Sequence, residues 1–257
     1  MAAAVPAFGR LRLAKLADLR RIGLVAAAGF YHSTFFPYAR PFFADYPTDT
    51  AASYRAEYQE GILDPKKLVL VALDDYKENE IDSVYEALKQ IYPESASKAG
   101  VDENGKVIVG IISMSLELDH KRHGQFLPED ASQPPDDPED RKRDSFPDAL
   151  KLVDRALKGP EEKWLKGHME ILSLGVHPAY WKIGHGHELA KWCLALADMD
   201  KVPTCVSASP MGARLCKSLG FVEKELVLID GYEHYPEPID ISFQQRSVSE
   251  AGPMAGL

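Results

Sequence analysis

A chain of 257 residues with 45% apolar and 27% charged side chains can bury its own core and has the balance of an ordinary soluble globular protein. Its net charge of −9 speaks against a nucleic-acid partner, and no apolar run reaches the roughly 20 residues that span a bilayer. Three cysteines without paired spacing fit a reducing compartment better than a disulfide framework, so the cytoplasm is the expected location.

Residues 1–17 are basic and free of acid, a composition shared with transit peptides, but Arg10 to Lys15 alternates as an edge strand does. The pattern predicts a strand over Leu11–Leu16 and a helix from Asp18 to about Gly29, with Leu19, Ile22, Val25 and Ala26 inward. An aromatic run follows, including Phe30, Phe35, Phe36 and Phe43. Such rings either plug the core between two helices or line a pocket for an apolar ligand, and Phe35 and Phe36 are the candidates for the second role. A second helix is predicted over Asp49–Gly61, with Tyr54, Tyr58 and Ile62 on one face, stopped at Asp64-Pro65. Leu68–Leu73 is too apolar for a surface strand and reads as a central one.

A short helix over Asp82–Tyr92 and a strand over Val107–Leu118 come next, the strand turning Ile112, Met114, Leu116 and Leu118 to one side. Residues 119–144 become polar, acidic and proline-rich, with Pro134 to Pro138 unable to form helix or central strand, which marks a surface excursion. Ser145 and Asp148 read as a capping pair for a helix carrying Leu150, Val153 and Leu157 inward, placed to act as a lid. Met169–Val176 alternates as a strand, His177-Pro178 breaks it, and a glycine-bearing turn at Lys182–His187 opens a helix with Leu189, Trp192, Cys193 and Leu196 on its apolar face. Strand, glycine turn and helix N-terminus together make an anion site of free N–H groups at a positive dipole end, and the expected occupant is a pyrophosphate. Thr204–Ser207, a helix over Ala213–Leu219 capped by Gly220, and strands over Phe221–Ile229 and Ile239–Phe243 complete the chain, with residues 247–257 read as a disordered tail.

Two segments resemble a known family. Leu174-Gly-Val-His-Pro through Gly184-His-Gly is similar to the acyl-CoA motif of the GNAT superfamily of N-acetyltransferases, Gln/Arg-x-x-Gly-x-Gly/Ala after a strand ending near Val-x-Pro. Ser209-Pro-Met-Gly-Ala-Arg-Leu-Cys216-Lys-Ser-Leu-Gly220-Phe221 resembles its next motif, Asn-x-x-Ala-x-x-Leu-Tyr-x-x-x-Gly-Phe, in the Ser-Pro-x-Gly form of fungal-type members. The resemblance implies a single α/β (α+β) domain over residues 8–246, with a mixed, mostly antiparallel twisted sheet flanked by helices, a splayed central strand, and residues 119–165 as insertion and lid helix.

It further implies acetyl-CoA as co-substrate and an amine as acceptor, attacked directly in a ternary complex. The backbone of Leu174 and Val176 would pair with the pantetheine arm. Lys182, Ile183, Gly184, His185, Gly186 and His187 would hold the pyrophosphate, and Ser209 would lie near it. Glu170, where the histone-acetyltransferase branch carries its general base, is the candidate to take the amine's proton, since a carboxylate in a partly apolar cleft can have its pKa raised. Cys216 stands where the family has a tyrosine acid for the leaving thiolate; it reads equally as a small buried hydrophobe. Trp181 stands in the Gln/Arg position.

No metal is expected. His185 and His187 do not share a helical face, and they, with His177, are expected in solvent beside the phosphates. Asp119, His120 and His123 read as a polar loop. Tyr232, with His234 and Tyr235, is a candidate for the acceptor pocket or a structural turn. A small-molecule amine suits the acidic charge and the aromatic run better than a protein lysine. A dinucleotide oxidoreductase fails on the missing third glycine and acid; a GNAT-fold protein that binds CoA with lost or altered transfer chemistry is the alternative, and oligomeric state stays open.

Overall fold

The computed structural model describes residues 4–92, 100–129 and 142–248. Seven strands form one sheet: β1 Leu11–Leu13, β2 Lys67–Asp75, β3 Lys106–Ser115, β4 Met169–Val176, β5 Thr204–Ala208, β6 Val222–Ile229 and β7 Ile239–Arg246. Their order is β1-β2-β3-β4-β5-β7-β6, and every neighbouring pair is antiparallel except β4 with β5. The helices are α1 Leu19–Phe30, α2 Phe35–Ala39, α3 Pro47–Leu63, α4 Glu86–Ile91, α5 Pro147–Trp164, α6 His185–Asp200 and α7 Pro210–Ser218. This is a mixed α/β architecture with a mostly antiparallel open sheet, as the sequence predicts.

The apolar character of β2 and β3 on both faces decides the layering, because each face must be covered. Val69, Val71, Ile108 and Ile111 pack under α1, α3 and α4 on one face. Leu68, Leu70, Ile112 and Met114 meet Leu189, Trp192, Cys193 and Leu196 of α6 on the other, so the predicted apolar face of that helix is its buried face. The far end of the sheet, β6 and β7, is covered by α5 through Val153 and Leu157 against Ile239, Ile241 and Phe243. No helix among the described residues is long and apolar enough to cross a membrane.

Local departures have physical causes. The expected helix over 82–92 is two pieces, a 3-10 turn at Glu80–Ser83 and then α4, because Val84 and Tyr85 are extended between them. Tyr85 stacks on Tyr31 with ring centroids 4.3 Å apart, and Glu80 turns inward. β3 stops at Ser115, which leaves Leu118 69% exposed rather than inward. Ser145 does not cap α5: its hydroxyl donates to the Lys142 carbonyl, Pro147 opens the helix, and Leu150 faces out while Ala149 takes its place in the core. Pro134 to Pro138 and residues 249–257 lie outside the described residues.

Beneath the β4–α6 turn lies a buried polar network. Arg21 of α1 clamps Glu80 with two nitrogens at 2.5 and 2.8 Å and also donates to the Ile108 carbonyl. Tyr92 and Tyr180 both donate to Glu80, and the Lys77 amide donates to Tyr180. Burial opposes ionisation of Glu80, but the guanidinium and the nearby donors win and hold its carboxyl below the usual range. Removing one member of a buried pair strands the other's charge, at a cost of about 3–5 kcal/mol. Glu80→Ala should therefore lower the unfolding free energy by an amount in that range, read as a fall in the urea midpoint at unchanged slope; a loss of less than about 1 kcal/mol would show that water replaces the carboxylate.

Candidate active site

The site begins where two strands part. β4 and β5 hold register only from Met169–Ile171 against Thr204–Val206, and beyond that Leu172–Val176 has no partner on the β5 side. On the other side β4 stays paired with β3, but Ser113 faces Ser173 while Met114 faces Ile171, so Leu172 is an extra, bulged residue. The bulge resets the alternation. Met169, Ile171, Leu174 and Val176 join the α6 face, whereas Glu170 and Ser173 point to the α3 side. Continuous alternation, which would put Glu170 beside Leu174 and Val176, is thus corrected by one inserted residue.

The His177 amide donates to the Val109 carbonyl, so the main-chain groups of Leu174 and Val176 turn away from β3 into the gap. Trp181 answers one of them: its indole N–H donates to the Val176 carbonyl at 2.6 Å. The turn that follows needs two left-handed residues, Lys182 at φ +64° and Gly184 at φ +104°. At Gly184 a side chain would meet open space, so what glycine supplies there is backbone freedom. α6 then starts at His185, and its first N–H groups have no helical partner.

A cavity of about 750 Å³ occupies the parting. One wall is β4 from Ile171 to Val176, the turn and the start of α6; another is β5 and α7, including Ser209 and Cys216. Most of the rest is aromatic and apolar, with Phe30, Phe35, Phe36, Tyr54, Val153, Leu157 and Ile241. Leu174, Val176, Lys182, Gly184, His185, Gly186, His187, Ser209, Cys216, Phe35 and Phe36 all line it, so the sequence candidates for cofactor and acceptor are largely brought together. Val153 and Leu157 bring α5, the expected lid helix, to the same wall.

Several candidates fall elsewhere. Ile183 is turned to solvent and does not line the cavity. Tyr232 is absent from the wall: its hydroxyl donates to the Tyr38 carbonyl at 2.6 Å and its ring stacks on Phe146, so it ties the β6–β7 turn to α2. His185 is buried rather than solvated, with Nε2 2.8 Å from Asp74 and Nδ1 without a partner among the described residues. His177 is also buried, in the core beside the Arg21–Glu80 network, and burial with the nearby guanidinium lowers its pKa to about 4. His187 contacts the Ser218 hydroxyl.

Glu170 does not line the cavity. Burial, with Glu161 adding repulsion, pushes its carboxyl up to about 7. Cys216 is buried, and that burial pushes its thiol up to about 11, so it stays protonated at neutral pH. The wall also holds residues the sequence did not single out for the site: Tyr54, Ser173 and Glu57. Glu57 sits three residues after Tyr54 and so shares its face of α3, the one signal that could have found it.

The Glu170 carboxyl gives a signed prediction. Its folded value lies above that of an unfolded carboxyl, so the folded state holds the proton more tightly, and stability falls as pH rises from about 4.5 to about 7. Glu170→Gln should remove this slope and leave the variant more stable than wild type at pH 8 by roughly 1–3 kcal/mol, with little difference at pH 4. Equal stability of the two proteins at pH 8 would show that Glu170 is solvated.

No protein-family model matches the chain. An acetyltransferase from Stachybotrys chartarum (strain CBS 109288 / IBT 7711) is 30% identical over 246 residues, which cover 94% of this chain and 90% of that protein. Among solved structures, a histone acetyltransferase HPA2 and related acetyltransferase from Corynebacterium glutamicum superposes with a TM-score of 0.51 at 14% identity, covering 94% of this chain and 98% of that one, a likeness of fold. With a full-length relative of that name and a sheet parted between β4 and β5, the chain belongs to the GNAT superfamily and is an acyltransferase.

Proposed function

We propose that the protein transfers an acetyl group from acetyl-CoA to the amine of a small molecule, by direct attack in a ternary complex. The observation that carries this reading is the cavity through the parted strands, which has an anion-binding end and an aromatic end. At the first end lie the free N–H groups of α6, the positive end of its dipole and the Lys182 ammonium, which suit a pyrophosphate. The open space beside Gly184 leaves room for phosphate to approach the backbone. The unpaired edge of β4 at Leu174 and Val176 suits the amides of a pantetheine arm laid along it as an extra strand, with the Val176 amide left to donate because Trp181 occupies only the carbonyl.

The residues then divide the chemistry. A main-chain N–H at the gap is fixed before reaction and can donate to the oxyanion of the tetrahedral intermediate. Cys216 lines the wall with its proton in place. Burial makes it a weak acid, so its S–H can serve the departing thiolate as a hydrogen-bond donor and relay, taking a proton from the nitrogen as it gives one up. Ser209, whose hydroxyl does not cap α7, is free to contact the cofactor. The aromatic end and the acidic charge of the chain favour a cationic amine with an apolar body.

Thermal unfolding with and without acetyl-CoA, against NAD and ATP, tests the cofactor. A ligand at a hundred times its Kd adds about 2.7 kcal/mol, which raises the Tm by several degrees. Stabilisation by acetyl-CoA alone is expected, and Gly186→Glu should abolish it, because a carboxylate there enters the cradle against Leu174, Leu215 and Val176. Stabilisation by NAD or ATP in place of acetyl-CoA would overturn the reading.

A further inference from the structure

Glu57 is the one carboxylate among the described residues that line the cavity, and Lys182 is the one lysine or arginine. The two stand on elements that cover opposite faces of the sheet. Glu57 is on α3, over Val69 and Val71, and Lys182 is in the turn that opens α6, over Leu68 and Leu70. A cavity that passes between parted strands therefore carries negative charge at one end and positive charge at the other.

Glu57 has no structural occupation that explains it. Its side chain is open to the cavity, yet no hydrogen bond or ion pair engages it among the described residues. The cations that act on it are committed elsewhere: Arg40 pairs with Asp144 at 2.5 Å and lies over the Tyr54 ring, and Lys67 pairs with Glu60 and Asp64. The neighbouring phenols are also engaged, Tyr58 with the Ser173 hydroxyl at 2.9 Å and Tyr54 with Arg40. Burial, reinforced by Glu60 and only partly opposed by Arg40 and Lys67, raises the Glu57 carboxyl above the usual range. A carboxylate open to a cavity lined by aromatic rings, with no partner of its own, is placed to meet the charge of a ligand.

Around it stand Phe30, Phe35, Phe36 and Tyr54, with Phe30 and Tyr54 in ring contact at 5.3 Å. Rings of this kind take an apolar body on their faces and favour a nearby ammonium. We propose, resting on the acetyl-CoA reading above, that Glu57 is the catalytic residue that receives the acceptor, and that the acceptor is an aryl-alkyl primary amine. Its ammonium docks on the Glu57 carboxylate and its ring lies among Phe30, Phe35, Phe36 and Tyr54.

The steps balance without a further reagent. The ammonium gives one proton to Glu57, which leaves the nitrogen lone pair free. That pair forms the C–N bond at the thioester carbonyl, the C–S bond breaks, and the sulfur leaves with the electron pair. The second proton lost from nitrogen reaches the thiolate, with Cys216 as relay. Glu57 returns its proton to solvent, so ammonium and acetyl-CoA become amide, CoA and one released proton.

The test is release of CoA thiol from acetyl-CoA with 2-phenylethylamine and tryptamine, with spermidine as a charged acceptor lacking a ring. A direct measurement of acetyl-CoA Kd accompanies each variant. Wild type should turn over the aryl-alkyl amines with kcat/KM at least about tenfold above spermidine. Glu57→Gln, isosteric and on the cavity wall, should lower kcat/KM by about 10²–10⁴-fold while leaving the acetyl-CoA Kd within twofold. The wild-type kcat/KM should fall at low pH along a limb that lies above the ordinary carboxylate range, and the Gln variant should lack that limb. Preference for spermidine, or no turnover of either aryl-alkyl amine by a protein that binds acetyl-CoA, would overturn the acceptor class and leave the cofactor reading standing. A Gln variant within threefold of wild type would overturn the role of Glu57, and failure of wild type to bind acetyl-CoA would overturn both readings.

Discussion

The constraint on which the site depends is that β4 and β5 can be neighbours for three residues and no further. A parallel pair that continued would fill the gap with its own hydrogen bonds and leave no edge for a ligand. Two features enforce the parting. The extra residue at Leu172 bends β4, as bulges do. The C-terminal end of α1 then presses on the bent half: a Cβ on Gly29 would lie 2.8 Å from the Val176 carbonyl oxygen, and one on Gly175 would lie 3.2 Å from the Phe30 ring. Helix and strand approach this closely only because both positions are glycine. The cavity is thus a consequence of backbone geometry in α1 and β4, before any side chain in it is considered.

The turn after β4 has to keep its shape while leaving its amides unpaired, and the buried network beneath it supplies that rigidity. Glu80 gathers Arg21 from α1, Tyr92 from the end of α4 and Tyr180 from the turn itself, so three distant parts of the chain meet at one carboxylate. A buried ion pair of this kind contributes little net stability relative to an apolar core, but it fixes register, since no other pairing satisfies the charge. On the other flank His185 is tied to Asp74 of β2, and Arg10 bonds to Glu188, which anchors the first turn of α6 to the sheet edge. The α6 end of the cavity is therefore held from both sides by charge, where the aromatic end is held by packing.

What the sequence could and could not reveal follows from range. Periodicity and breakers act within a few residues, and they were sufficient for the strand at Met169–Val176, the break at His177-Pro178 and the buried face of α6. The motif resemblance brought Leu174, Val176 and the Lys182–His187 turn together, and all of them but Ile183 share one wall because they are near one another in the chain. Glu170 was parted from Leu174 and Val176 by a bulge that shows only in the register against β3, far away in sequence, and no alternation count registers an inserted residue. Tyr232 looked available until Tyr38 and Phe146 claimed it, and both of those contacts are long-range. Glu57 escaped for a different reason. An inward helix face reads as core, and from sequence alone a face that borders a cavity cannot be distinguished from one that borders packed side chains.

Trp181 shows how a departure from a family pattern can be absorbed. At the position where the family pattern has Gln or Arg, the indole donates to the Val176 carbonyl at 2.6 Å and sets its ring 4.6 Å from His32. One edge group of β4 is closed by the protein itself, and the exit from the strand gains a rigid aromatic surface shared with the segment after α1. Of its two rings, Trp181 lies on the cavity wall beside Lys182, and His32 does not line it. Trp181 thus closes the carbonyl and leaves the Val176 amide as the open group of that residue on the edge of β4.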